Sequence, residues 1–163
     1  IESFLLPLQE KKDIFLMSEA GLPCIADPGQ KVVSLAQKKQ YKIIPLVGPS
    51  SIYLSLMASG FNGQNFAFLG YLTVKEDERE KKIKEIENRI YKENQTQIFI
   101  EAPYRNEKMM MSLLKVLNNE TKICLASNIT LSSQSIKTKT VNNWKKEKDF
   151  GINKINTIFL IYK

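Results

Sequence analysis

The sequence predicts an α/β protein with a parallel sheet and helices on its faces, and three observations carry that expectation. Residues 13–59 run in the order strand, loop, helix, strand, turn, helix, which is the signature of a crossover unit. Beyond them, apolar runs of strand length alternate with two amphipathic helical patterns. At 163 residues, 43% hydrophobic and 25% charged, the composition is that of a soluble globular chain with room for one ordinary domain or two small ones.

The elements are justified in order. Residues 3–12 read as the tail of a helix. Asp13 to Ser18 is a short apolar strand, followed by the Gly/Pro-rich stretch Glu19 to Gly29 and a helical pattern, Gln30 to Lys39, whose Val32, Val33, Leu35 and Ala36 share a face. A second strand, Tyr41 to Val47, meets the turn Gly48-Pro49-Ser50-Ser51. A short helix follows, Ile52 to Ser59, with Ser55, Ala58 and Ser59 for close packing. A parallel sheet of only two strands is not expected to stand alone, so the N-terminal domain, residues 1–64, reads as incomplete. The alternative is a small complete α/β protein whose later strands join the same sheet.

A second domain is expected over residues 65–163. Phe66 to Leu72 is a strand; Thr73 and Glu76 suggest a capping box for a long helix, Lys75 to Glu93, with Ile83, Ile86 and Ile90 on one stripe. Thr96 to Glu101 is a strand and Asn106 to Leu117 a helix whose Met109, Met110, Leu113, Leu114 and Leu117 face inward. Thr121 to Ser127 is a strand, Ile136 to Val141 alternates like an edge or antiparallel strand, and Thr157 to Tyr162 is a last apolar strand.

Composition also excludes chemistry. The sequence contains no histidine, which removes histidine bases, histidine triads and the common histidine-ligated zinc sites. Cys24 and Cys124 form no metal motif and are expected as free thiols, and no metal is expected. No apolar run is long enough for a membrane span and the start lacks the pattern of a secretory signal, so a cytoplasmic protein is expected. The net charge of +7 is concentrated downstream: residues 66–163 carry 18 Lys and Arg against 12 Asp and Glu. That favours an anionic partner, although lysines, including Lys137, Lys139, Lys145, Lys146 and Lys148, far outnumber the arginines Arg79, Arg89 and Arg105.

In an open α/β sheet, ligands bind outside the carboxyl ends of the strands, and three segments qualify by position. The loop Glu19 to Gly29 exceeds the usual length of a strand-to-helix connection, and its Asp27 is a candidate cap for the following helix. Gly48-Pro49-Ser50-Ser51 offers amides and hydroxyls at a helix start. Glu101-Ala102-Pro103-Tyr104-Arg105 is either a salt bridge supporting a strand end or a substrate-facing group. Neither glycine-containing loop has a P-loop lysine or a G-x-G-x-x-G pattern.

The run Ser18 to Gly29, with Pro45 to Ser51, Met57 to Gly60, Phe66 to Leu72 and Ile100 to Asn106, resembles the tetrapyrrole (corrin/porphyrin) methylase superfamily. Within it, the sequence is similar to the branch that 2′-O-methylates a cytidine of small-subunit (16S) ribosomal RNA. Five motifs in order span nearly the whole sequence. The strand, Gly/Pro-rich loop and second strand that begin such proteins are absent from it, so the resemblance too implies an incomplete N-terminal domain.

The resemblance implies a methyltransferase of two α/β domains that uses S-adenosylmethionine in the cleft between them, usually as a homodimer. It assigns cofactor contacts to Asp27, Pro28, Gly29, Gly48, Pro49, Ser50, Ser51, Gly70 and Tyr71, and to Asn128 and Thr130 in a segment where relatives tend to carry an acidic residue before the Thr. Glu19 and Glu101 are candidates for accepting the proton of an acceptor hydroxyl, and Tyr104, Arg105, Lys137 and Lys139 for holding an RNA substrate. Two alternatives stay open: the same fold acting on another acceptor, and a non-catalytic cofactor-binding or scaffold protein.

Overall fold

The computed structural model describes residues 2–163 and packs as two units, Ile1–Ser50 and Ser51–Lys163. The first unit has a 3₁₀ turn, Glu2–Leu5, and two helices, α1 (Leu6–Gln9) and α2 (Gln30–Lys38). Helix α2 packs on the 3₁₀ turn. Ala36 is buried there, while Val32, Val33 and Leu35 of the expected buried face are only half-buried.

The two strands expected in this unit are not strands. Asp13 to Ser18 and Tyr41 to Val47 form no ladder, and Phe15, Met17, Ile44 and Leu46 are exposed. The reason is energetic. A parallel strand is stable only when hydrogen-bonded to a neighbour and covered on both faces, and neither condition holds among the described residues.

The second unit is a five-stranded sheet in the order β1-β2-β5-β3-β4, made of β1 (Phe66–Tyr71), β2 (Thr96–Ile100), β3 (Lys122–Ser127), β4 (Ser135–Thr140) and β5 (Thr157–Tyr162). Only β1 and β2 pair in parallel; β5 runs antiparallel to both β2 and β3, and β4 antiparallel to β3. The alternation read in Ile136 to Val141 is thus the antiparallel edge strand β4. It follows that β1, β2 and β3 all point the same way and end at one edge of the sheet.

Helices cover both faces. On one side lie α4 (Glu76–Glu93), α5 (Asn106–Val116) and the short α6 (Val141–Trp144). Ile83, Ile86 and Ile90 of α4 are fully buried with Met109, Met110 and Leu113 of α5 against Phe99, Leu125 and Phe159. Each such side chain contributes about 2 kcal/mol through burial. Phe99 and Phe159 stack with ring centroids 5.5 Å apart, and the Trp144 indole N–H donates to the Ile123 carbonyl at 2.9 Å. The opposite face takes α3 (Ser51–Ser59), which sets Ile52 and Leu56 on Ile98, Cys124, Ala126, Ile158 and Leu160. Ser55 and Ser59 are buried in that contact as expected; Ala58 is exposed.

Two local expectations fail. Helix α4 starts at Glu76 after an uncapped Lys75, and Thr73 donates its hydroxyl to Glu78 at 3.2 Å instead of forming a box with Glu76. Asp27 does not cap α2 either. Its Oδ1 accepts from the amides of Cys24 (3.0 Å) and Gly29 (2.8 Å), folding the loop onto itself, and Gly29 takes the cap position without a side-chain bond.

Candidate functional site

The carboxyl ends of β1, β2 and β3 bring three of the sequence motifs to one sheet edge. Gly70 and Tyr71 end β1, and Tyr71 pairs with Ile100 across a bulge that follows Phe68. Gly70 adopts φ +67°, the left-handed conformation such a bulge demands, and a Cβ built on it meets nothing within 4 Å. The backbone there is open to a ligand.

One strand across, Glu101 is buried, its side chain only 2% exposed. Its Oε1 accepts from Arg105 Nε at 2.9 Å and Nη2 at 2.6 Å and from the Ala102 amide at 2.7 Å. The hydrogen bond to Glu101, opposed by desolvation and aided by its charge and by Tyr104 and Tyr71, raises the Arg105 pKa, so the guanidinium stays charged. Arg105 Nη1 also donates to the Tyr104 hydroxyl at 3.2 Å, and its Cζ lies 5.2 Å from the centroid of the Tyr104 ring. Glu101 therefore works as the anchor of an ion pair.

The turn carrying these residues is clamped from below by Asn106, which the sequence reading quoted but gave no role. Its buried side-chain amide donates to the carbonyls of Ile152 (3.1 Å) and Ile155 (2.6 Å), and the Lys154 amide donates to the Pro103 carbonyl at 3.2 Å. A second unassigned residue is Arg79, buried with Nε on Ser112 Oγ at 3.1 Å and Nη1 on the Val74 carbonyl at 2.7 Å, which fixes the segment after β1. An Asn opening a helix was a readable signal. An arginine inside a highly charged helix was not.

Beyond β5, and so about 10 Å from β2 at ordinary strand spacing, β3 delivers Asn128 and Thr130. Both have positive φ, 49° and 73°. Asn128 Nδ2 donates to Ser133 Oγ at 3.0 Å and the Thr130 amide to Gln134 Oε1 at 2.8 Å. Lys137 and Lys139 lie on β4. Lys139 is committed within the fold, paired with Glu147 and 5.0 Å from the centroid of the Trp144 ring; Lys137 is exposed.

The remaining candidates belong to the first unit. There the loop of Glu19 to Gly29 and the Gly48 segment adjoin: a Cβ on Gly48 would come within 2.9 Å of Leu22, and one on Gly29 within 2.8 Å of Asp27 Oδ1. At Gly29 the close neighbour is the carboxylate that its own amide holds; at Gly48 it is the end of a flexible side chain. Pro28, Pro49 and Glu19 are exposed and Ser50 is buried; Ser51 opens α3 in the other unit. Among the described residues, no three His, Cys, Asp or Glu side chains gather as a metal site and no helix is long and apolar enough to cross a membrane.

Comparison with known proteins shows what the chain resembles. No family model matches the sequence. It is similar to the ribosomal RNA small subunit methyltransferase I of Vibrio cholerae, 36% identical over 76% of this chain and 41% of that protein. The same-named protein of Buchnera aphidicola is 30% identical over 90% of this chain and 50% of its own length. The solved methyltransferase CobJ superposes with a TM-score of 0.58 at 13% identity, covering 88% of this chain and 62% of that one. The cobalt precorrin-4 methyltransferase CbiF gives 0.56 at 15%, covering 87% and 61%. The chain is similar in sequence to these ribosomal RNA methyltransferases and shares the fold of the two solved methyltransferases, and it spans about half the length of the curated relatives it matches. The two solved structures establish the shared fold.

Proposed function

We propose that the protein is an S-adenosylmethionine-dependent methyltransferase that 2′-O-methylates 16S ribosomal RNA, acting in the cytoplasm as a homodimer. The observation that carries the reading is the convergence of Gly70-Tyr71, Glu101-Tyr104-Arg105 and Asn128-Thr130 at the carboxyl edge of one sheet. The names of the relatives supply the acceptor class. We divide the chain into domains at residues 1–64 and 65–163.

The residues suit the cofactor at the open backbone of Gly70, where no side chain occupies the approach. Gly70, Tyr71, Asn128 and Thr130 are assigned to hold it, together with Asp27, Pro28, Gly29, Gly48, Pro49, Ser50 and Ser51. When bound, S-adenosylmethionine supplies an electrophilic methyl carbon, so the chain's own task is alignment and does not call for a histidine. Tyr104 and Arg105 orient the acceptor, and Lys137 draws its phosphates by charge. Glu101 holds Arg105 in place. Of the two candidate carboxylates, Glu101 is committed to Arg105 while Glu19 is exposed, and Glu19 takes the hydroxyl proton.

The test is transfer of a labelled methyl group to small-subunit RNA by this chain, alone and as a chimera completed with the unmatched sequence of the Buchnera aphidicola relative. Label on a ribose hydroxyl supports the proposal. Label on a base, or none with either form, overturns it.

A further inference from the structure

Two tyrosine rings stand exposed at the ends of the neighbouring parallel strands. Tyr104 is 70% exposed and Tyr71 62%. The comparably large Tyr53 and Tyr91 are committed elsewhere, Tyr53 edge-on to Phe66 and Tyr91 hydrogen-bonded to Thr121 at 3.1 Å. Tyr104 is held by Arg105, which is held in turn by the buried Glu101. The exposed ring is thus preorganised by a chain of contacts ending in the sheet. Beside it, Lys154 is exposed and joined through its amide to Pro103. An aromatic surface costs little entropy to present and binds the π-face of a base, while adjoining cations meet the backbone phosphates.

Building on the RNA reading above, we propose that Tyr71 and Tyr104 form a stacking platform for unpaired bases, and that Lys154 contacts the flanking phosphate, so the substrate must present single-stranded nucleotides at this edge. A base inside a duplex has both faces covered by its neighbours and cannot use the platform. Tyr71 serves the cofactor through its backbone beside Gly70 and the base through its exposed ring, and neither tyrosine needs to touch the methylated atom.

The experiment is fluorescence anisotropy of the full 163-residue chain with a labelled single-stranded RNA and with the same RNA in a duplex. Single strand is expected to bind at least about tenfold more tightly than duplex. Tyr104→Ala lowers single-strand affinity about tenfold and leaves duplex binding unchanged, Tyr71→Ala acts in the same direction, and Tyr104→Phe restores it. Lys154→Gln weakens both RNAs alike and reduces the slope of log affinity against log salt by about 1. Unchanged urea midpoints exclude loss of fold as the cause. If the chain binds RNA but Tyr104→Ala has no effect, or duplex binds equally well, the platform is overturned while the RNA reading survives. If it binds neither RNA, both are overturned.

Discussion

Arg105 lays two of its guanidinium nitrogens on a single oxygen of Glu101, Nε at 2.9 Å and Nη2 at 2.6 Å, and the two partners differ sharply in exposure, 26% against 2% for the side chains. Loss of Glu101 leaves a cation that water reaches; loss of Arg105 leaves a buried carboxylate without its counter-charge. Arg105→Met is therefore expected to lower the urea midpoint more than Glu101→Gln. Arg105→Lys, lacking the planar fork, falls between wild type and Arg105→Met.

The core of the second unit gives a larger effect. Ile86 is fully buried in the stripe of α4, so Ile86→Ala is expected to cost about 2–5 kcal/mol in denaturant unfolding. Met111 sits between the buried Met110 and Ser112 yet is 59% exposed, and Met111→Ala should change stability by no more than about 0.5 kcal/mol.

How far these positions were legible follows from where their signal lies. The Ile83, Ile86 and Ile90 stripe and the Met109 to Leu117 face carry a helical period in the sequence itself, and both are core. The antiparallel placement of β5 between β2 and β3 is a long-range choice that no local pattern in Thr157 to Tyr162 encodes. Asp13 to Ser18 and Tyr41 to Val47 have strand composition, but a strand is a property of pairs, and these have no partner among the described residues. At the site, Glu101 and Arg105 were visible as a charged pair after an apolar strand, with the choice between ion pair and substrate contact left open. Arg79 was hidden because seven acidic and seven basic side chains over residues 75–93 make any one of them look solvated.

Cys124 is fully buried and Cys24 only partly. Burial, partly offset by a hydrogen bond with Thr138, pushes the Cys124 thiol above its usual 9.0. The folded state thus keeps the proton where the unfolded chain gives it up. Stability linked to this group is full below pH 9.0 and declines as pH rises through the folded value. Native alkylation followed by mass spectrometry should label Cys24 first, with Cys124 modified only in denaturant.

Thr130 is β-branched and holds φ 73°, a conformation that costs such a residue about 1–3 kcal/mol. Thr130→Gly is expected to raise stability by about 1 kcal/mol in urea unfolding and, on the proposed function, to weaken cofactor binding.

The carboxyl edge of the sheet is the centre of this account, and amide NMR of the isotopically labelled chain titrated with S-adenosylmethionine tests it most directly. Shifts at the amides of Gly70, Tyr71, Asn128 and Thr130 at that edge, and at those of Asp27, Gly29, Gly48, Ser50 and Ser51, are the predicted result. Shifts centred on the outer face of α4, or no shifts at all, would contradict it.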